Sequence, residues 1–171
     1  WFSLPVQSGD DTVLATMRRG YTVAQYLDRI EKVRALMPEV AITTDVIVGF
    51  PGETEEQFRA TYRLLEEVRF DKVHVAAYSP RPGTYAWRKL PDDVPPEVKR
   101  ERLHAVEALQ ERIAGEINAR LLGTVQEILI EGIGEKDGKP FGRTRTGKLV
   151  HLHGPAHPGE LVDVRITHTG P

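Results

Sequence analysis

The 171-residue chain is 40% hydrophobic and 28% charged, enough apolar content for one ordinary domain or for two small ones sharing a core. A formal net charge of -2 gives no global attraction to nucleic acid or membrane, so binding of either kind has to come from a local patch. Cysteine is absent, which excludes disulfides, thiolate metal sites and cysteine nucleophiles from these residues; with no membrane-length apolar run and no basic leader in "WFSLPVQSGDD", a cytoplasmic protein without membrane partners is expected.

The apolar stretch Phe2 to Val6 predicts a strand that runs into Gln7-Ser8-Gly9-Asp10. From Thr22, the positions Val23, Tyr26, Leu27, Ile30 and Val33 follow helical spacing, with Thr22 and Gln25 as a capping box and a stop before Pro38. Ala41 to Val48 reads as a short strand of the kind buried on both faces of a parallel sheet. It ends in Gly49-Phe50-Pro51-Gly52. Thr54 and Gln57 cap the next helix, whose inward face is Phe58, Thr61, Leu65 and Val68. Lys72 to Tyr78 is a third strand, closed by the turn "SPRPGT". Strands alternating with helices through short loops imply right-handed crossovers and a parallel sheet. Gln7-Ser8-Gly9, the Gly49 to Gly52 loop and Ser79-Pro80-Arg81 then share the carboxyl-end rim, where such folds bind ligands.

The composition shifts at "LPDDVPP", and a long helix over 95–122 follows, lined by Val98, Arg102, Val106, Leu109, Ile113, Ile117 and Leu121 and stopped by Gly123. Beyond it the apolar period changes to two. "TVQEILIEGI", "GKLVHLHG" and "ELVDVRITH" are alternating strands separated by "GEKDGKPFG" and "PAHPG", the pattern of a small antiparallel barrel. The fold class is therefore α/β, a parallel-sheet unit over 1–122 followed by an antiparallel β unit over 123–171.

The "GFPGE" loop lacks the lysine and hydroxyl of a phosphate loop and the G-x-G-x-x-G spacing, while Glu53, Glu55 and Glu56 occupy the first turn after it. Two readings stay open: a plain strand-to-helix turn, and a bare glycine backbone that lets a flat ligand approach the strand end.

Four ordered stretches, "LPVQSGDDTVLATMRRGYT", "AITTDVIVGFPGETEEQF", "FDKVHVAAYSPRPGTYAW" and "GRTRTGKLVHLHG", resemble the carboxyl-terminal part of the radical S-adenosylmethionine methylthiotransferases, in particular the MiaB-type tRNA-modifying branch. The resemblance covers almost the whole chain. It implies the second half of a radical SAM (β/α) barrel joined to most of an OB-like TRAM barrel that binds RNA. It further implies an enzyme that, at full length, uses S-adenosylmethionine, two 4Fe-4S clusters and an external reductant to methylthiolate isopentenylated adenosine beside the tRNA anticodon. Threonylcarbamoyl-adenosine or a ribosomal-protein aspartate is the alternative substrate within the family, and a non-catalytic RNA-binding module is the contrasting class. Without cysteine this stretch is expected to hold no cluster, to bind no cofactor alone and to be inactive by itself.

By resemblance, Ile47, Val48 and Gly49 lie on the adenine side of the cofactor, with sheet packing as the other role for the first two. Gln7 and Ser8, polar groups at a strand end, suit the ribose or the amino-acid end, although Ser8 also suits a local cap. Asp45, inside an apolar strand, needs a partner or a wet cavity. Tyr78 and Arg81 open the last rim loop, and Arg81 suits a carboxylate, an RNA phosphate or a structural ion pair. In "GRTRTGK", Arg143, Arg145 and Lys148 have no acidic residue between them and read as an RNA-backbone patch. His151, His153 and His157 read as strand histidines near RNA, not as a zinc site. A barrel cut at Phe2 to Val6 leaves an open strand edge, so self-association is expected.

Overall fold

The computed structural model describes residues 1–135 and 138–171. Pro5 decides the form of the first strand: it has no amide to give a ladder, so β1 is only Phe2–Ser3, and parallel pairing resumes as a single bridge between Gln7 and Val46. This corrects the continuous Phe2 to Val6 strand expected from the sequence. In the gap, the Thr44 hydroxyl accepts from the Val6 amide at 3.0 Å and donates to the Leu4 carbonyl at 2.8 Å. The Tyr26 hydroxyl donates to the same carbonyl at 2.6 Å. The arch around Pro5 is thus satisfied by side chains.

A helix not foreseen in the sequence follows, α1 (Asp11–Thr16), capped by Asp10, whose carboxylate accepts from the Thr12 and Val13 amides. Helix α2 (Val23–Leu36) and helix α3 (Glu55–Val68) both begin with the expected capping boxes, Thr22 with Gln25 and Thr54 with Gln57. Between them lies β2 (Ile42–Val48), and after α3 comes β3 (Lys72–Ala77). The order is β1-β2-β3, all parallel, with Asp45 opposite His74 and Ile47 opposite Ala76. One face of β2, Ile42, Thr44, Val46 and Val48, is fully buried; Ile42, Val46 and Val48 pack among Tyr26, Ile30, Phe58 and Leu65. The other face, Thr43, Asp45 and Ile47, is only partly covered. Burial on both faces, expected from the sequence, does not hold because three strands do not wrap around their own inner face.

After α4 (Tyr85–Lys89), the long helix α5 (Pro96–Ala119) packs Val106, Leu109 and Ile113 into the same core. It ends three residues short of the expected 122, in a turn where Gly123 takes φ 78° and donates to the Ile166 carbonyl at 2.8 Å. Strands β4 (Val125–Ile133), β5 (Pro140–Thr144), β6 (Leu149–His151) and β7 (Leu161–Arg165) form an antiparallel sheet in the order β6-β5-β4-β7. The sheet is open, with β6 and β7 as edges, where a closed barrel was expected. Its core is Ile128, Ile130, Leu152 and Ala156. The end of the "GEKDGKPFG" separator is itself strand β5; Lys136 and Asp137 within it lie outside the described residues. Among the described residues no helix is long and apolar enough to cross a membrane.

Among the described residues, contacts tie the antiparallel unit to the parallel one. Lys148 Nζ lies 2.9 Å from Asp71 Oδ1, Asn118 Nδ2 donates to the Gly170 carbonyl at 2.8 Å, and the Trp1 ring sits against Gly147.

One ion pair joins α5 to the end of β2. Glu53, placed by sequence reasoning in the first turn of α3, precedes that helix, and its side chain is completely buried. Its Oε2 accepts from the Gly49 amide at 2.6 Å and from Arg102 Nη1 at 2.8 Å. Burial pushes the Glu53 carboxyl above its ordinary value, and the Gly49 amide and Arg102 pull it back down.

Arg102→Met leaves the Glu53 carboxylate buried without its cation and is expected to cost about 3–5 kcal/mol in urea unfolding. Adding Glu53→Gln to that variant should recover most of the loss, and an unrecovered loss would mean that Arg102 acts by packing alone. Tyr26 provides a pH test, since burial raises its hydroxyl from 10.0 to about 12. A raised pKa favours the protonated fold, so its contribution is complete below pH 10 and disappears as pH rises toward 12, by about 3 kcal/mol. Tyr26→Phe should remove that part of the alkaline stability loss while leaving the rest in place.

Candidate functional site

At the carboxyl ends of the parallel strands lies a cleft of about 420 Å³. Its floor is Ile47 from β2 and Ala76 and Ala77 from β3; Phe50 and Tyr78 form a wall, their rings edge to face at 5.1 Å. Gln7 enters from the β1 side with φ 70°, a left-handed conformation that few non-glycine residues adopt. Arg81 closes the side beyond β3, and Met17, Arg18 and Arg19 enter from the end of α1. The result is an apolar, ring-sized floor with amide, hydroxyl and guanidinium groups at its margin.

Of the eight rim residues expected from the sequence, Gln7, Ile47, Tyr78 and Arg81 come together in this cleft. The other four lie behind or beside it. Ser8 is fully buried, with its Oγ 3.3 Å from the Thr61 hydroxyl, and Thr61 also accepts from the Gly9 amide at 2.8 Å. The turn after Gln7 is therefore fastened to α3. Val48 is a core side chain. Asp45 sits on the partly covered face of β2, beside His74 in register.

Gly49 has a structural requirement of its own. With φ 69°, it lies so close to α5 that a Cβ would fall 2.4 Å from Lys99 Cγ. Lys99 is buried there, paired with Asp92, and it donates to the Tyr78 carbonyl at 3.4 Å. Two neighbouring basic residues of α5 thus hold two rim loops, Arg102 through Glu53 and Gly49, and Lys99 through Tyr78. Sequence reasoning took Arg102 only as a residue lining the helix and did not single out Lys99. It also did not single out Met17, Arg18, Arg19 or Phe50; the one available signal was the adjacent pair of arginines in "MRRG".

On the antiparallel sheet, the three basic residues of "GRTRTGK" are all paired with acids from elsewhere. Arg143 Nε lies 3.2 Å from Glu131, Arg145 lies 2.7 Å from Glu127, and Lys148 holds Asp71. Arg143 and Arg145 remain well exposed, whereas Lys148 is mostly covered. His151 is on β6, His153 follows it, and His157 is 3.1 Å from Glu160.

The comparisons agree with this two-part plan. The Radical SAM superfamily model matches residues 1–65, and the TRAM domain model matches residues 119–171. The chain is 50% identical over 170 residues to the tRNA-2-methylthio-N(6)-dimethylallyladenosine synthase of Dehalococcoides mccartyi strain CBDB1, covering 99% of this chain and 40% of that protein. It is 53% identical over 173 residues to the synthase of Chloroflexus aurantiacus, covering 99% of this chain and 37% of that protein, and 48% identical over 173 residues to that of Myxococcus xanthus, with the same coverage. The chain thus spans about 40% of the length of the curated relatives it matches. With a radical SAM segment and a TRAM domain in that order, and about half of all positions identical along its whole length, the chain matches one part of the radical S-adenosylmethionine methylthiotransferases of the MiaB type.

Proposed function

We propose that this chain supplies the cofactor-facing wall and part of the RNA-binding surface of an enzyme that methylthiolates N6-dimethylallyladenosine in tRNA. The observation that carries the reading is the cleft, an apolar floor at the strand ends with Gln7 and Arg81 at opposite margins. Its size and lining fit a nucleoside-bearing cofactor such as S-adenosylmethionine, which when bound supplies the 5′-deoxyadenosyl group for radical chemistry. Ile47 and Ala76 would lie under the base, the Gln7 amide would hydrogen-bond the ribose, and Arg81 would hold the carboxylate. Ser8, Val48 and Gly49 shape the rim from behind, and Asp45 keeps the inner face polar.

The 4Fe-4S clusters do not fit these residues. Cluster iron needs thiolates and the chain has no cysteine, so the clusters and the reductant that feeds them are assigned to the part of the synthases outside this match. The natural division of labour is 1–122 for the cofactor wall and 123–171 for RNA. Arg143 and Arg145 are the phosphate ligands assigned to the second unit, exchanging Glu131 and Glu127 for RNA. Lys148 keeps the two units in register.

The activity is tested by a chimera in which this chain replaces the matching 37% of the Chloroflexus aurantiacus synthase. Nucleoside digests of tRNA exposed to the chimera should contain the 2-methylthio derivative of N6-dimethylallyladenosine. A chimera that carries its clusters yet leaves that nucleoside unmodified, or modifies threonylcarbamoyl-adenosine instead, would refute the assignment. A second outcome concerns the edge of β1, which has no neighbour on one side. The chain alone is expected to associate reversibly through it, seen as a concentration-dependent sedimentation coefficient; a monomer at every concentration would show that the arch around Pro5 already blunts the edge.

A further inference from the structure

Beside the cleft, α4 buries none of its five residues, yet it carries Tyr85, 38% exposed, and Trp87, 52% exposed. Core packing does not account for two large aromatics on such a helix. Tyr85 belongs to the cleft lining and also to a shallow shelf formed with Trp87, Arg88 and Lys89, so cleft and shelf adjoin at Tyr85. Arg18, Arg19 and Arg81 stand on the cleft side of Tyr85. The guanidinium carbon of Arg18 lies 3.5 Å from the centre of the Tyr85 ring and ties the end of α1 to α4.

The charge here is one-sided. Neither lining contains a carboxylate, and among the described residues none of Arg18, Arg19, Arg81, Arg88 and Lys89 has an acidic partner within ion-pair distance. A chain of net charge -2 therefore concentrates five unneutralised cations around two exposed rings. Arg143 and Arg145 at the antiparallel sheet, by contrast, each face a glutamate.

We infer that this cationic, aromatic lip is a second RNA-binding surface, built for a single-stranded segment. Phosphates lie on Arg19, Arg88 and Lys89 while unpaired bases stack on Trp87 and Tyr85. Aromatic faces alternating with guanidinium groups fit splayed bases; an acidic peptide would use the cations but leave the rings uncovered, and a duplex offers no free base face. Because the shelf adjoins the cleft at Tyr85, a loop bound on it delivers one base toward the floor at Ile47 and Ala76, as enzymes acting on a base require. This inference rests on the tRNA-modifying reading above and places the substrate loop within it.

The test is a fluorescence titration of the chain with a hairpin RNA bearing a single-stranded loop, at several salt concentrations. A Trp1→Phe background leaves Trp87 as the sole tryptophan, and its emission should be quenched by the hairpin and not by a fully paired duplex. Trp87→Ala, followed with a labelled hairpin, should weaken binding by about fivefold or more. Arg19→Ala, Arg88→Ala and Lys89→Ala together should reduce the slope of log affinity against log salt by about 2. Thermal unfolding should be unchanged in every variant, since these side chains are exposed.

Unchanged affinity and slope in these variants, with loss only in Arg143→Ala/Arg145→Ala, would overturn the inference and leave the tRNA reading intact. Equal binding of polyglutamate would also overturn it. Failure of the unaltered chain to bind any RNA would refute the RNA reading of both surfaces.

Discussion

The arrangement depends on a buried ion pair between helix α5 and the end of the central parallel strand. Arg102 neutralises Glu53, and the same Glu53 oxygen takes up the Gly49 amide, which otherwise has no strand partner beyond β2. The pair lies in the interior, where a lone charge is strongly unfavourable, so neither member can leave without the other. One turn earlier, Lys99 occupies the space that any side chain at position 49 would need and reaches the Tyr78 carbonyl. The loops that end β2 and β3 are therefore positioned from beneath by a single helix.

The same helix ends at the antiparallel sheet, so the geometry of the rim and the position of the TRAM domain are set by one rigid element. Lys148 and Asp71 add a second tie. Electrostatically the two parts differ: Arg143, Arg145 and Lys148 at the sheet are already balanced by carboxylates, while the lip of the cleft presents unbalanced cations. Phosphate binding at the sheet is an exchange of partners, with a modest net gain; at the lip it is a gain of partners.

Signals confined to neighbouring residues were legible in the sequence. The two Thr-x-x-Gln caps and the period change after Gly123 depend on contacts within a few residues, and the structure contains each of them. What was not legible depended on distant partners. Arg102 lies on an apolar helical stripe and reads as a lining residue until Glu53, 49 positions away, is brought against it. "GRTRTGK" shows three cations and no acid, because Glu127, Glu131 and Asp71 come from other segments. The carboxyl-end rim followed from the order of strands and helices, but which rim side chains turn into the cleft depended on the arch around Pro5 and on the fastening of Ser8 to Thr61. Arg18 and Arg19 follow α1, a six-residue helix with too little periodicity to be recognised.

Helix α5 also acts as a phase-setting spacer. Each residue inserted into an α-helix rotates everything beyond it by about 100° and advances it by about 1.5 Å. Between Lys99, beneath Gly49, and Asn118, which holds Gly170, a single insertion or deletion would swing the whole antiparallel sheet to another side of the molecule and separate Lys148 from Asp71. Only a change of about seven or eleven residues, close to two or three full turns, would return it to nearly the same azimuth. The length of this linker is thus quantised by helical geometry, a constraint that a flexible tether of equal reach would not impose.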